Sequence, residues 1–505
     1  MIQSSRARTD EQPELVAAVD VGSNSFHMIV ARQQGGQLTI IDRLREPVRL
    51  AAGLDPERRI QPAAWRRALD CLQRFGQRLR GMAPEAVRAV GTNALRRARN
   101  AAEFAAEAEA ALGHPIEIVS GIEEARLIYL GVAHSLADEG VRRLVVDIGG
   151  GSTELIVGEG FEPRHLESLH MGCVNISQQF FGNGAVTRRQ WEAASLAAQM
   201  ELEPVAAAYR ELNWQRVAGS SGTIKTIAAA LADARLDDFG ITAAGLRKLR
   251  DVLLKDGRLE RSRFKSIGDD RVEVFVGGVV VLLSVFEALE IERMEVADGA
   301  LREGVIYDLL GRIQLEDVRG ATVRALAGRY HVDLHQARRV EATAAYCLEQ
   351  AGPRWGLAET RWGPVLAWAA ILHEIGLDIA HSQYHKHGGY VLRHADMAGF
   401  SQQEQQVLAT LVRAHRRKFP LAEFKELPER LREPVRRLAV LLRLAVLLHR
   451  GRNDEALPGF ELSASDKGLR LRFPAGWLER HPLLRADLAQ EAELLKPAGV
   501  ELKFA

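Results

Sequence analysis

Up to about residue 310 the chain alternates short, nearly unbroken apolar runs with longer stretches of helical periodicity. Runs of this length bounded by turn residues predict buried strands, and a repeat of 3.6 predicts helices packed on them. Residues 15–50 are predicted as three strands, the first two meeting near Asp20 and the third reached through Gln33-Gln34-Gly35-Gly36. A helix follows over 62–82, then a strand from Val87 to Thr92, with Thr92 or Asn93 placed to cap an alanine-rich helix over roughly 100–112. Pro115–Ser120 is predicted as a strand, and Ser120-Gly121 opens a helix through Gly131. A polar crossing over 135–143 leads into a second copy of the theme. Strands alternating with helices predict two α/β domains, 1–135 and 136–314, on one cleft. The most apolar run, Val274–Val285, is too short for a bilayer and is predicted as a buried helix. After Gly311 the pattern turns helical: Ala321–Ala327, His335–Gln350, Leu366–Ile375, Gln402–Arg416 and Pro434–Leu448. This predicts a helical domain over 315–450, and the short alternating runs of 451–505 a small α+β domain.

The strand breaks carry the chemistry. Leu144–Val157 runs apolar to Asp147, passes through Gly149-Gly150-Gly151-Ser152-Thr153, and resumes as a second apolar run beginning at Glu154. Leu15–Val30 has the same grammar around Asp20-Val21-Gly22-Ser23-Asn24-Ser25. Two further versions are Gly219-Ser220-Ser221-Gly222-Thr223-Ile224-Lys225 and Asp298-Gly299-Ala300-Leu301-Arg302-Glu303-Gly304. Glycines let backbone N–H groups come close to an anion. Serine and threonine add hydroxyls, and the carboxylates of Asp20, Asp147 and Glu154 offer oxygens to a hard cation. Each turn taken singly reads equally as an ordinary polar hairpin. Four of them, two sharing the Asp-Gly form, predict an internal duplication facing a phosphate-binding cleft.

Composition narrows the partners little. Of 505 residues 47% are hydrophobic and 26% charged, with a net charge of +1, so global charge names no partner, nucleic acid included. Cys71, Cys173 and Cys347 are scattered without metal or disulfide spacing, which fits a reducing cytoplasm. The polar stretch Met1–Glu14 has no secretion-signal core. The expected location is cytoplasmic, with no transmembrane segment; peripheral membrane association stays open.

Glu123-Glu124 sits at a predicted helix N-terminus, where the helix dipole favours a carboxylate. Capping is one reading; a base that deprotonates a water is the other. Arg96, just after a strand, is either a solvated helix residue or a bidentate phosphoryl clamp. Lys225 adds a point charge. Phosphoryl transfer needs little beyond such positioning and charge neutralisation.

Together these motifs resemble the exopolyphosphatase / guanosine pentaphosphate phosphatase family of the actin–sugar kinase–Hsp70 superfamily, over nearly the whole chain. The quoted stretches are Asp20–Ser25, Gly91–Arg96, Ser120–Arg126, Asp147–Glu154, Gly219–Thr223 and Asp298–Gly304. The resemblance implies two ribonuclease H-like domains and a Mg²⁺-assisted hydrolase removing terminal phosphates processively from inorganic polyphosphate, stimulated by a monovalent cation such as K⁺. It implies Glu124 as base, Arg96 as phosphate-binding arginine and Asp147 as catalytic carboxylate. Phosphate falls to Asp20, Gly22, Ser23, Asn24, Ser25, Gly149, Gly150, Gly151, Ser152, Gly219, Ser220, Ser221, Gly222 and Lys225, and the metal to Asp147, Glu154, Asp20 and Glu124. Gly151 before Ser152 looks like the polyphosphatase branch, since the pentaphosphate branch tends to carry Ala there. Guanosine pentaphosphate is the alternative substrate, with tetraphosphate a further possible ligand. A homodimer is expected.

The helical region resembles an HD-type phosphohydrolase domain with departures. His335 matches the first metal histidine, but His373 is followed by Glu374 where an Asp belongs, and Val446 occupies the closing aspartate position. The region is read as a reused relic without a catalytic metal. His385, Lys386, His387, Arg413, His415, Arg416 and Arg417 are read as a channel wall for polyphosphate. Two competing readings remain: an ATP-dependent kinase on the same fold, needing hydroxyl and adenosine pockets, and a non-enzymatic guanosine tetraphosphate sensor, which has no need of Glu124.

Overall fold

The computed structural model describes residues 15–34, 37–136, 140–237, 240–313, 318–452 and 457–505. The turn residues Gly35 and Gly36 and the middle of the 135–143 crossing lie outside them. The chain divides into two compact units, Met1–Glu316 and Asp317–Ala505.

The first unit opens with strands β1 (Leu15–Val21), β2 (Phe26–Gln34) and β3 (Gln37–Glu46), helix α1 (Pro62–Leu79), β4 (Val87–Gly91), α2 (Asn93–Arg97), α3 (Ala101–Leu112), β5 (Ile116–Ile118) and α4 (Gly121–Ser135). It continues with β6 (Arg142–Ile148), β7 (Thr153–Glu159), β8 (Glu162–Leu169), α5 (Cys173–Phe181), α6 (Arg188–Glu211), β9 (Arg216–Ser220), α7 (Ser221–Asp233), β10 (Ile241–Thr242), α8 (Ala243–Asp256), α9 (Val272–Ala288), β11 (Arg293–Val296) and α10 (Leu301–Ile313). The apolar run at 274–285 is the buried body of α9.

The duplication is written in the sheets. One has the order β3-β2-β1-β4-β5, the other β10-β11-β9-β6-β7-β8. In both, the central strand pairs antiparallel with the strand after it and parallel with a later one: β1 with β2 and β4, β6 with β7 and β9. Both also carry a register irregularity between their second and third strands, at Val30/Ala31 and Val157/Gly158. This architecture fits an actin-like α/β fold.

Alternation along β1 explains how α4 and α10 lie between the sheets. Ala17, Val19 and Val21 enter a core with α1 and α3, while Val16 and Ala18 turn the other way. On β6, Leu144, Val146 and Ile148 face α9, while Val145 joins the same intermediate core as Val16 and Ala18. That shared core holds Leu127 and Ile128 of α4 and Val305, Ile306 and Leu309 of α10. The two helices touch backbone to backbone. A Cβ on Gly131 would collide with the Ala300 carbonyl oxygen, and one on Gly304 with that of Leu127. The expected boundary at 135/136 therefore cuts through a common core, and α10 packs on α4 rather than on its own sheet alone.

Two cap predictions are corrected. The alanine-rich helix is preceded by Asn100, and Thr92 precedes instead the short α2, which breaks before Ala101. Helix α4 runs past Gly131 to Ser135, because Gly131 is needed for close approach and not as a stop.

The second unit contains α11 (Val318–Arg329), α12 (Leu334–Ala351), α13 (Trp362–Leu372), α14 (Tyr384–His394), α15 (Gln402–Ala414), α16 (Leu421–Lys425), α17 (Glu429–Leu448), β12 (Glu461–Ser465), β13 (Gly468–Arg472), α18 (Trp477–Arg480), α19 (Pro482–Leu495) and β14 (Glu501–Phe504). Sequence reading missed α14, whose His-Lys-His-Gly-Gly start has no apolar stripe. Its three strands form one sheet. Phe460, Leu462, Leu471 and Leu488 share a core with Val340, Leu372 and Leu442, so no separate domain begins at 451. No described helix is long and apolar enough to cross a membrane.

Candidate active site

In open α/β sheets a ligand sits beyond the carboxyl ends of parallel strands. Here β1, β4, β6 and β9 end around a cleft of about 490 Å³ lined by Asp20, Gly22–Ser25, Asn93, Glu124, Asp147, Gly149, Gly150, Ser152, Ser221–Thr223 and Lys225. Each Asp-Gly turn is fixed by its carbonyls. Ala51 and Arg49 donate backbone N–H groups to Ser23 and Asn24 carbonyls at 2.8 Å, and Cys173 and Val174, opening α5, donate to Gly149 and Gly150 at 3.0 and 2.9 Å. The Gly149 N–H is itself given to the Ser152 carbonyl at 2.9 Å, and with the other carbonyls engaged the remaining N–H groups of the turns are left to meet an anion. Gly22 is required sterically, since a Cβ there would lie 2.6 Å from the Ser25 carbonyl oxygen.

The two glutamates of α4 separate completely. Ser120 caps the helix through the Glu123 N–H at 3.1 Å. Glu123 points inward, fully buried, where Arg126 binds both its oxygens at 2.7 and 2.9 Å and Arg88 lies 3.7 Å away. Asp308 of α10 joins both arginines, at 2.5 Å from Arg88, and Glu117 adds a contact to Arg88 at 3.1 Å. Glu124 lines the cleft instead, and accepts a hydrogen bond from Arg96 Nη1 at 2.6 Å. The same Nη1 donates to the Val119 carbonyl at 3.0 Å. Arg96 is not among the residues lining the cleft, and its Nη1 is taken up in holding Glu124 in place.

Other expected site residues fall behind the wall. A Cβ on Gly219 would meet Met294 and Ile224, so that glycine serves strand packing, and Gly151 backs onto Asn93. Buried Ser220 donates to the Gly299 carbonyl at 3.1 Å and hydrogen-bonds Asp147. Lys225 donates to the Asp298 carbonyl at 3.1 Å, so it is partly spent. Asp298 and Gly299 thus clasp the third turn and pack on α4, while Ala300, Leu301 and Arg302 that follow them line the cleft.

The carboxylates crowd without forming a cage. Asp20 is pushed up to about 7 by burial and by Glu124 and Asp147 nearby, partly opposed by Arg302. Asp147 is likewise raised to about 7, first by burial. Glu154 is raised too, chiefly by burial; Ser168 donates to it at 2.9 Å and its Oε2 is buried without a partner. Asp20 Oδ1 is also buried and unpartnered. Among the described residues, no three His, Cys, Asp or Glu side chains converge as a metal site, so the expected quartet of Asp147, Glu154, Asp20 and Glu124 is not a ready-made set of ligands. What the donors do fit is Mg²⁺ held by one or two carboxylates, with water and substrate phosphate completing its shell.

Sequence reading missed three cations of the cleft. Arg302, present in a quoted motif but given no role, lies 2.5 Å from His27 Nδ1. His27 is held well below its ordinary value by burial and the Arg302 charge, so this ring nitrogen is a neutral acceptor. Arg271 comes from a turn with no motif, and burial lowers its guanidinium from the usual value. Arg45 reaches across to pair with Asp270, as Arg49 pairs with Glu273 at 3.1 Å, so both pairs bridge β3 and its following loop to the second half of the unit.

In the second unit the expected channel residues do not share one surface. His385 is buried, Lys386 is exposed, and Arg413 lies 3.9 Å from Glu423. His415, Arg416 and Arg417 line a separate pocket. His335 is exposed on the first turn of α12, whereas His373 is buried.

The Ppx/GppA phosphatase family matches residues 29–313, and its domain III matches residues 318–492. Curated proteins of Aeromonas hydrophila and Vibrio cholerae, both named guanosine-5'-triphosphate,3'-diphosphate pyrophosphatase, are 40% identical over 485 and 493 residues. The alignments cover 96% and 97% of this chain and 97% and 98% of theirs. The crystal structure of the Aquifex aeolicus Ppx/GppA family member is 29% identical, with a TM-score of 0.50 over 59% of this chain and 98% of its own. An exopolyphosphatase from Cytophaga hutchinsonii is 24% identical, with a TM-score of 0.54 over 59% of this chain and 97% of its own, a likeness of fold. Cleft and relatives together define a hydrolase of phosphoric anhydrides on an α/β scaffold. The chain belongs to the Ppx/GppA phosphatase family.

Proposed function

We propose that the protein hydrolyses the terminal 5′ phosphoanhydride of guanosine 5′-triphosphate 3′-diphosphate, with Glu124 as base. The observation that carries the chemistry is the division of labour on α4, where Glu123 is locked into buried ion pairs while Glu124 faces the cleft. Substrate choice is supported by relatives that match this chain along its whole length and carry that nucleotide in their names. They favour it over the long-chain polyphosphate that Gly151 suggested. One residue beside Asn93 is a weak guide against relatives of full length.

In this reading the turns at Gly22–Ser25 and Gly149–Ser152 cradle the terminal phosphates, and Arg271 and Arg302 offset their charge. Arg96 holds one Glu124 oxygen. The other orients a water and takes its proton as the water oxygen bonds to the γ-phosphorus and the β–γ anhydride bond breaks. The products are inorganic phosphate and guanosine 5′-diphosphate 3′-diphosphate. Mg²⁺, held by Asp20 and Asp147, would supply Lewis-acid neutralisation of phosphate charge.

Phosphate release should be followed side by side on the pentaphosphate, on long-chain polyphosphate and on ATP with a sugar panel. The pentaphosphate is expected to be cleaved fastest, with polyphosphate as a second activity on the same anhydride chemistry. ATP turnover that depends on a sugar would overturn the hydrolase mechanism. Arg271→Ala should raise KM about 10- to 100-fold while lowering kcat less, because a charge-assisted contact is lost in both ground and transition states. An unchanged KM removes Arg271 from phosphate binding. Adding Mg²⁺ to the ligand-free protein should raise Tm, since an ion bound to the native state stabilises it by mass action. In Asp147→Asn that rise should vanish; its persistence would place the ion elsewhere.

A further inference from the structure

The second unit contains a pocket of about 700 Å³ that the hydrolytic reading leaves unused. Its size is within the range of small-molecule sites. Leu377, Val446, Leu447 and Leu494 add apolar surface between its polar residues. Val446, which stands where an HD-type domain closes its metal site, is thus part of that apolar surface, and no metal-binding trio converges here among the described residues.

Its polar residues suit an anion that carries a donor group. Three of its arginines are spent. Arg443 is held by Glu491 at 2.5 and 3.0 Å, Arg450 by Asp487 at 2.5 Å, and Arg452 by Asp333 and Glu374. Arg416 and Arg417 have no acidic partner in the described residues. Arg416 lies over the Tyr384 ring at 4.4 Å, and Arg417 follows α15 with a φ of 63°, a left-handed backbone that turns the chain at the pocket rim. Between them and the core is His415, whose Nδ1 donates to the Val412 carbonyl at 2.6 Å. Its Nε2 is therefore a lone-pair acceptor, and it is buried with no partner. Burial, with His373 beside it, holds the ring neutral.

We propose that this pocket binds a nucleoside phosphate, with phosphate on Arg416 and Arg417, the base against the leucines, and a base N–H donated to His415 Nε2. Guanidinium forks suit phosphate oxygens. An orphaned buried acceptor is costly until a donor meets it. The site is distinct from the cleft of the first unit.

The test is calorimetric titration of full-length Glu124→Gln protein with ATP, with GTP and with inorganic phosphate. Two nucleotides per chain are expected. Arg416→Ala/Arg417→Ala should weaken one event at least tenfold and leave the other in place, which also reports that the chain is folded. Leu447→Trp, filling the pocket from α17, should weaken the same event. A single nucleotide per chain in every variant overturns the proposal. So does a second event that inorganic phosphate reproduces and Leu447→Trp leaves unchanged, because the apolar surface would then have no occupant.

Discussion

Glu124→Gln should lower kcat by roughly 10²- to 10⁴-fold, the usual contribution of a positioned base, while Tm changes little. The amide keeps the oxygen that accepts from Arg96, so the loop before α4 stays tied through the Arg96 contact to the Val119 carbonyl. What disappears is the ability to take a proton from water. Nucleotide affinity, measured by calorimetry without turnover, should stay within about tenfold, because the substitution removes a group needed in the transition state and not a phosphate contact. Undiminished phosphate release would exclude Glu124 as base and return the non-enzymatic sensor reading to consideration.

Glu123→Gln should do the opposite. Its carboxylate is fully buried against Arg126 and near Arg88, and Asp308 completes the network from α10. Removing one charge leaves two buried guanidinium groups with Glu117 and Asp308 alone, and breaking a buried pair costs about 3–5 kcal/mol. For a unit of this size that amounts to a fall in Tm on the order of 10 °C. Below the new Tm, kcat should stay near that of the parent protein, since Glu123 does not reach the cleft. The pair of variants therefore separates stability from chemistry at adjacent positions. A Glu123→Gln protein that melts normally but does not turn over would mean the two residues share the catalytic role, and the network would lose its purely structural meaning.

Local chemistry was legible because it is local. An apolar run ending in Asp and Gly marks a strand and its turn wherever it occurs, and the recurrence of that grammar at Asp20 and Asp147 announced two sheets of one design, which the matched strand orders display. Ser120 capping α4, the buried helix at 272–288 and the helical character after residue 317 were likewise readable from short-range pattern. The sequence by itself thus determined the elements, the duplicated turns and the residue types that could handle phosphate.

Which of those residues meets the substrate was decided by packing. Glu123 and Glu124 are identical in type and adjacent in sequence; the helical rotation of about 100° between neighbours sends one to Arg126, whose other partner Asp308 lies some 180 positions later in the chain, and the other to the cleft. Arg96 could be placed near phosphate but not known to spend itself on Glu124. Gly304 and Gly131 look like turn residues until α10 lies against α4. Arg271 has no motif at all and reaches the cleft from the turn before α9. Periodicity and turn chemistry act over a few residues, whereas burial, ion pairing and the sharing of a cleft depend on distances that only the closed tertiary structure sets.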